Sequence, residues 1–321
     1  MTTNVSRRGL IGIGAGITAG IAAGTAVPAS PAAAAQGLTG MTLRWWGNNG
    51  WEIRVQGPDG KTRTVLIDPW LTRFKTGTYS PDGADPKTPL SVNRRLIDRY
   101  LDTEDLRADC ILVTHGHYDH LTDVPYLAER TGATVFGTET HLNLLRALGA
   151  PESQLAVASG GEYLTFDGYR IRILRSLHSA LGDRGQVPYP GTRPGGPPPR
   201  PKVIADLVEG GTLAYQVEAA GGSSALNFGG SNYVESELAG LRPDVLLMPA
   251  GGARVHDYAA RLLRATGYPP YVLPTHWDDF DLPLGKPARD AGGLEPLRKA
   301  VAEASPRSSF VVLDHLRTFS G

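Results

Sequence analysis

Three imidazoles and a carboxylate fall within six consecutive residues, His115-Gly116-His117-Tyr118-Asp119-His120, directly after the apolar run Cys110-Ile111-Leu112-Val113. Imidazole nitrogen and carboxylate oxygen are ligands that Zn²⁺ favours, and a catalytic site keeps one position open for water. Side chains on extended backbone repeat every two residues, so His115 and His117 are expected on one side. Gly116 between them is expected to permit a tight turn. Asp119 and His120 then face a second position, at the start of a helix read over residues 121–130. The competing reading, a polar turn of solvated histidines, needs four ligand-type residues to gather behind a buried-looking strand by chance.

A loop of this kind works only if other segments hold it and complete it. Residues 41–55 alternate and read as a strand, Gly57-Pro58-Asp59-Gly60 as a turn, and residues 62–67 as the return strand, ending in Asp68-Pro69-Trp70. The polar, Gly/Pro-punctuated residues 71–91 would lie over the loop, with Trp70, Phe74 and Tyr79 as candidate substrate contacts, and residues 92–101 have helical spacing. Then come a short strand (133–136), a helix (139–148) whose His141 has no ligand-type neighbours and reads as surface or packing, and paired strands over 163–174. The segment 182–201 holds seven prolines and can form neither helix nor central strand. It is either a lid or specificity loop, in which Arg184, Arg193, Arg200 and Lys202 would favour an anionic substrate, or an ordinary solvated loop. A hairpin (213–218 and 224–228), a strand (245–248), a helix (257–265) preceded by His256, a strand at 271–273 and a final strand (310–316) carrying a structural His315 complete the chain. The one cysteine, Cys110, excludes an intrachain disulfide and a Cys-rich zinc site, and reads as a small buried hydrophobe.

The H-x-H-x-D-H pattern after an apolar strand resembles the signature of the metallo-β-lactamase superfamily. The resemblance implies an α/β fold, a four-layer αββα sandwich carrying one or two metal ions, usually zinc. The opening hairpin with Asp68-Pro69 at its end is similar to the branch that includes ascorbate-6-phosphate lactonase and the N-acyl-phosphatidylethanolamine phospholipase D type. Gly47-Asn48 stands where that branch commonly has Gly-His, and Asp68 is expected to cap its loop or support a ligand histidine. Carried over residue by residue, the resemblance implies that His115, His117 and His178 bind one metal and Asp119, His120 and His276 the other. It also calls for a bridging aspartate after the 224–228 strand, where this chain has Gly230-Ser231. Weaker occupancy of the second position is expected, or a substitute ligand, with Asp278, Asp279 and water as candidates. The implied activity is that of a metal-dependent hydrolase in which metal-bound hydroxide attacks an ester, lactone or phosphoester. Asp119 would orient the nucleophile or pass a proton to the leaving group. The alternatives are a phospholipase D-type phosphodiesterase, favoured by an apolar patch near Trp70 and Phe74, and a non-catalytic metal-binding protein, suggested by Ser231.

Residues 1–36 read as a targeting segment rather than part of the fold, which is expected to be a single domain over 37–321. Ser6-Arg7-Arg8 leads into Gly/Ala-rich, mildly apolar residues, and Ala33-Ala34-Ala35 offers a cleavage site. The paired arginines resemble a twin-arginine signal, which implies the twin-arginine export machinery as partner and a bacterial extracytoplasmic location. The whole chain is formally neutral, with 41% hydrophobic and 20% charged residues, an ordinary globular composition. No basic face suggests a nucleic-acid partner; a small-molecule or lipid ester is expected.

Overall fold

Alternation along the strands decides the layers. In the computed structural model, which describes residues 37–321 apart from 82, 182, 183, 252 and 253, Val65 and Ile67 point into one hydrophobic cluster and Leu66 into another. Cys110 and Leu112 divide from Ile111 in the same way, as do Val245 and Leu247 from Leu246 and Met248. Each sheet is therefore apolar on both faces and must be covered on both.

The first sheet has seven strands: β1 (Met41–Trp45), β2 (Trp51–Gln56), β3 (Thr62–Ile67), β4 (Cys110–Leu112), β5 (Thr134–Gly137), β6 (Leu155–Val157) and, at its other edge beside β1, β15 (Thr318–Phe319). The second has eight: β7 (Tyr163–Phe166), β8 (Tyr169–Leu177), β9 (Thr212–Ala219), β10 (Ser224–Asn227), β11 (Asn232–Tyr233), β12 (Val245–Pro249), β13 (Tyr271–Thr275) and β14 (Ser309–Phe310). The two sheets share one core, in which Leu43, Ile53 and Val65 meet Ile171, Tyr215 and Val217. Outside the first sheet lie α1 (Arg94–Thr103), α3 (Val124–Thr131) and α4 (Glu139–Leu148), burying Ile97, Leu127 and Leu142. Outside the second lie α5 (Tyr258–Ala265) and α6 (Leu294–Ala304), burying Leu262 and Val301. The result is the αββα sandwich.

Several local expectations change. Residues 41–55 are two strands, because Gly47 and Asn48 take left-handed conformations and turn the chain between Trp45 and Trp51. The helix read over 121–130 is two, α2 (Tyr118–Leu121) and α3, with Pro125 in the first turn of the second. The final strand shrinks to Ser309–Phe310, and Thr318–Phe319 crosses to the first sheet instead. Cys110 is buried against the Tyr169 hydroxyl, and burial pushes its thiol up to about 11. The targeting segment expected at 1–36 lies outside the described residues.

Candidate metal centre

Four segments converge at one edge of the sandwich. The loop after β4 carries His115 and His117, α2 carries Asp119 and His120, His178 follows β8, and His276 follows β13. The ligand atoms of His115, His117 and His178 lie within 4.8 Å of one another, and so do those of Asp119, His120 and His276. The two clusters adjoin, the His115 and His120 ring centroids being 3.8 Å apart.

Gly116 is needed here for a reason other than a turn. Its amide donates to the Glu209 carbonyl at 2.8 Å, and a Cβ would come within 2.3 Å of the Val208 carbonyl oxygen. At the strand ends the chain turns through left-handed residues, Asn48 (φ 49°), Asp68 (φ 43°) and His276 (φ 54°). Each costs roughly 1–3 kcal/mol and persists only where its surroundings over-determine it. Those surroundings are present: the His276 amide donates to the Asn48 carbonyl (2.9 Å), and the Asn48 amide to Asp278 Oδ1 (2.8 Å).

The ring nitrogens show what the clusters suit. His117 Nε2 donates to the Pro188 carbonyl (2.8 Å) and His178 Nδ1 to the Ser179 carbonyl (2.9 Å), since a carbonyl can only accept. His117 Nδ1 and His178 Nε2 then face each other at 3.1 Å with two lone pairs and no proton to share. His120 Nδ1 donates to Asp68 Oδ2 (2.6 Å), and His120 Nε2 is buried and faces Asp119 Oδ2 at 3.2 Å. Thr114 Oγ1 donates to Asp68 Oδ2 and so accepts from His115 Nδ1 (3.1 Å). Four imidazoles thus spend their outward nitrogen on an acceptor and turn the inward one to a cluster, bare on His115, His117 and His178 and set against the Asp119 carboxylate on His120, as metal-ligating histidines do. The residues fit a divalent cation.

Charge agrees. Burial, reinforced by the neighbouring imidazoles, holds His115 well below its ordinary range and His117 down to about 3, so both are neutral donors near pH 7. Burial works against charge on His120, but the Asp119 and Asp68 carboxylates outweigh it and lift the ring to about 10. Two carboxylates aimed at one imidazole call for a positive charge, and a metal ion answers as well as a proton. Burial opposes ionisation of Asp119, yet His120 and His276 hold its carboxyl well below the usual range.

Behind the clusters, Asp68 accepts from the Thr114 amide (2.8 Å), the Thr114 hydroxyl, Asn49 Nδ2 (2.7 Å) and His120. It supports a ligand histidine, as read from sequence. Asn49 exchanges hydrogen bonds with Asn227 at the end of β10, tying the first sheet to the second. Asn48 Nδ2 donates to the Asp119 carbonyl (2.9 Å) and to Asp119 Oδ2 (3.2 Å), so it orients that carboxylate. Neither Asn49 nor Asn227 is apparent in the sequence as part of a site.

Ser231 is buried beside the clusters, its amide and hydroxyl both bonded to Ser179 Oγ (2.8 and 3.0 Å). Asp278 and Asp279 do not substitute for a bridging carboxylate. Asp278 is buried against Arg73 (2.6 Å) and His315 (2.9 Å), and Asp279 is paired with Arg289. His315 is thereby structural. His141 packs at the start of α4, accepting from the Thr138 amide and donating to the Glu209 carbonyl. His256 is exposed beside Asp257.

The clusters open into a cleft of about 440 Å³. Of the aromatics proposed from sequence, only Tyr79 lines it. Trp70 is buried at 1% exposure and the half-buried Phe74 packs against it. Tyr118, Tyr189, Trp277 and Phe280 line the cleft instead. The 182–201 segment contributes Pro188 and Tyr189, but Arg184, Arg193, Arg200 and Lys202 do not reach it. Its cations therefore do not recommend an anionic substrate.

Comparison with known proteins gives one picture. A family model described as a beta-lactamase superfamily domain matches residues 42–276. A metal-dependent hydrolase of Myxococcus xanthus is 30% identical over 285 residues, covering 86% of this chain and 84% of its own. Among solved structures, a metallo hydrolase of the archaeon Ignicoccus hospitalis aligns with TM-score 0.54 at 19% identity, over 87% of this chain and 97% of that one. The metallo-beta-lactamase fold protein YhfI of Bacillus subtilis aligns with TM-score 0.52 at 15% identity, over 88% and 99%.

Proposed function

This chain belongs to the metallo-β-lactamase superfamily, and from that premise we propose that it is a metal-dependent hydrolase, exported from the cytoplasm, that cleaves an ester, lactone or phosphoester. The observation that carries the reading is the convergence of six ligand atoms in two clusters of three at the floor of a cleft. Five imidazoles and a carboxylate suit zinc. When bound, such an ion supplies Lewis acidity towards a carbonyl or phosphoryl oxygen and a water of lowered pKa.

The protein's own groups do the rest. His115, His117, His178 and His120 are held with one ring nitrogen turned to the clusters by Thr114, Pro188, Ser179 and Asp68. Asp119 lies at the cleft with Oδ2 fixed by Asn48 Nδ2 and turned to His120 and His276, and its carboxylate would orient the attacking water or pass a proton to the leaving group. The aromatic wall excludes bulk water and seats the substrate. Export rests on Arg7-Arg8 and Ala33-Ala34-Ala35.

Ser231 favours a second reading, in which only the three-histidine cluster holds metal tightly and the protein binds metal without turnover. The test is metal content per chain on wild type, His117→Ala and His276→Ala, alongside ester and phosphodiester turnover. Two ions in wild type, one lost in each variant, with turnover lost in both, supports a two-metal hydrolase. A single ion lost only in His117→Ala points to a mononuclear site, and metal without turnover to the second reading. No bound metal refutes both.

A further inference from the structure

The cleft wall narrows the substrate class, and this step rests on the hydrolase reading. Apart from the ligand clusters, the larger side chains lining the cleft are Tyr79, Tyr118, Leu181, Tyr189, Trp277 and Phe280, joined by smaller alanine and proline side chains and by Thr78, Ser179 and Ser231. Among the described residues no lysine or arginine lines it, and its one carboxylate is Asp119. Of the cations on the flanking segments, Arg184 and Arg254 are exposed and lie outside the cleft lining, and others are spent elsewhere. Arg73 is fully buried against Asp278, Arg289 is paired with Asp279, and Arg200 and Lys202 border a separate hollow with Tyr126 and Glu129. The apolar character continues to the rim, where Tyr79 and Leu181 are 40% and 44% exposed.

A bound metal ion can meet negative charge at the reacting bond. It cannot meet a charge several bonds away, at the far end of the cleft. A phosphate or carboxylate placed there would be desolvated against aromatic rings with no cation to pair it. A hydrocarbon or aryl group placed there gains burial instead. We infer that this enzyme takes an ester or lactone whose body beyond the reacting bond is uncharged and apolar, and rejects substrates that carry an anion at a distance from that bond. The second class includes phosphorylated sugar lactones, so the branch resembled in sequence does not fix the substrate.

The metal-loaded protein would be tested with p-nitrophenyl acetate, butyrate and hexanoate, and with the p-nitrophenyl monoester of adipic acid, which matches hexanoate but ends in a carboxylate. We expect kcat/KM to rise roughly threefold to fourfold per methylene, and the adipate ester to fall at least about a hundredfold below hexanoate. Leu181→Arg places a cation at the rim and should raise the adipate-to-hexanoate ratio at least about tenfold. Calorimetric binding of hexanamide and of adipic monoamide gives a readout independent of turnover, with hexanamide the tighter ligand. Turnover of adipate and hexanoate esters at equal rates, or tighter binding of the monoamide, overturns the inference and leaves the hydrolase reading standing. No turnover of any ester with hexanamide still preferred refutes the hydrolase reading while the cleft's preference stands.

Discussion

Asp68 is the residue whose replacement should separate the two metal clusters. Its carboxylate is fully buried and receives four donors: the Thr114 amide, the Thr114 hydroxyl, Asn49 Nδ2 and His120 Nδ1. In Asp68→Asn the side chain keeps its shape but loses its charge, and one of its two heteroatoms becomes a donor facing donors. With the amide oxygen where Oδ2 was, His120 keeps only a neutral acceptor in place of the carboxylate, and damage to such a partner typically weakens metal binding about 10–100-fold. His115 is touched only at one remove, through Thr114 Oγ1 (3.1 Å), so its cluster should lose much less. Two backgrounds isolate the effects: His117→Ala leaves the Asp119/His120/His276 cluster, and His276→Ala leaves the three-histidine cluster. Zinc affinity measured by chelator competition should drop about 10–100-fold in Asp68→Asn/His117→Ala relative to His117→Ala, and only slightly in the other pair. The reasoning would be refuted by an equal drop in both backgrounds, or by a drop confined to the three-histidine cluster. Asp68→Ala is the harsher variant, since it strands buried donors at about 1–3 kcal/mol each, and its urea midpoint should fall accordingly.

Arg73→Met removes the cation from a fully buried pair and leaves the buried Asp278 carboxylate with only His315 and the Asn48 amide, so unfolding in urea should show a loss of roughly 3–5 kcal/mol. Gly116→Ala drives a Cβ against the Val208 carbonyl, and it should cost about 1–3 kcal/mol and weaken metal binding at the His115 cluster while far-UV circular dichroism stays native. Burial holds His141 down at about 4, below its ordinary 6.5. The unfolded chain therefore binds the extra proton first, and stability complete above pH 6.5 should fall by up to about 3 kcal/mol as the pH drops to 4. His141→Gln should flatten that part of the stability–pH profile, measured by urea unfolding at stepped pH.

The sequence reveals most where chemistry is contiguous. The His115–His120 loop is visible because four ligand-type residues crowd one short stretch, and His178 and His276 because each leaves a strand end where the resembled family has a ligand. Asp68 is visible through its place at the end of a hairpin. The Pro188 carbonyl that sets the His117 tautomer is not, because a backbone acceptor has no side-chain signature. Nor are Asn48, Asn49 and Asn227, which look like ordinary turn and strand-end residues until the fold brings them together. The cleft wall is hidden for a related reason. Tyr118, Tyr189, Trp277 and Phe280 come from three separate segments, while Trp70 and Phe74, which look exposed in a polar loop, turn inward to form the core. Periodicity marks α4 to the residue but misses α6 and overextends the last strand, because Val311 to Leu313 pack as irregular chain against the central core.

The position of the site follows from strand direction. β3, β4, β5 and β6 run parallel to one another. In the second sheet β8 and β10 are each antiparallel to β9, and β10, β12 and β13 run parallel. The C-terminal ends of β8, β10, β12 and β13 therefore share one edge of that sheet, as those of β3 to β6 share one edge of the other. Asp68 follows β3, the histidine loop follows β4, His178 follows β8, Ser231 follows β10 and His276 follows β13. Every one leaves a strand at its carboxyl end, the side on which parallel sheets leave crevices for ligands. The Asn49–Asn227 exchange and the His276 amide to the Asn48 carbonyl then clamp the two edges together. A metal ion held by His115 and His117 from one sheet and His178 from the other would be a third such clamp. The clusters can therefore form only where both sheets are folded and in register.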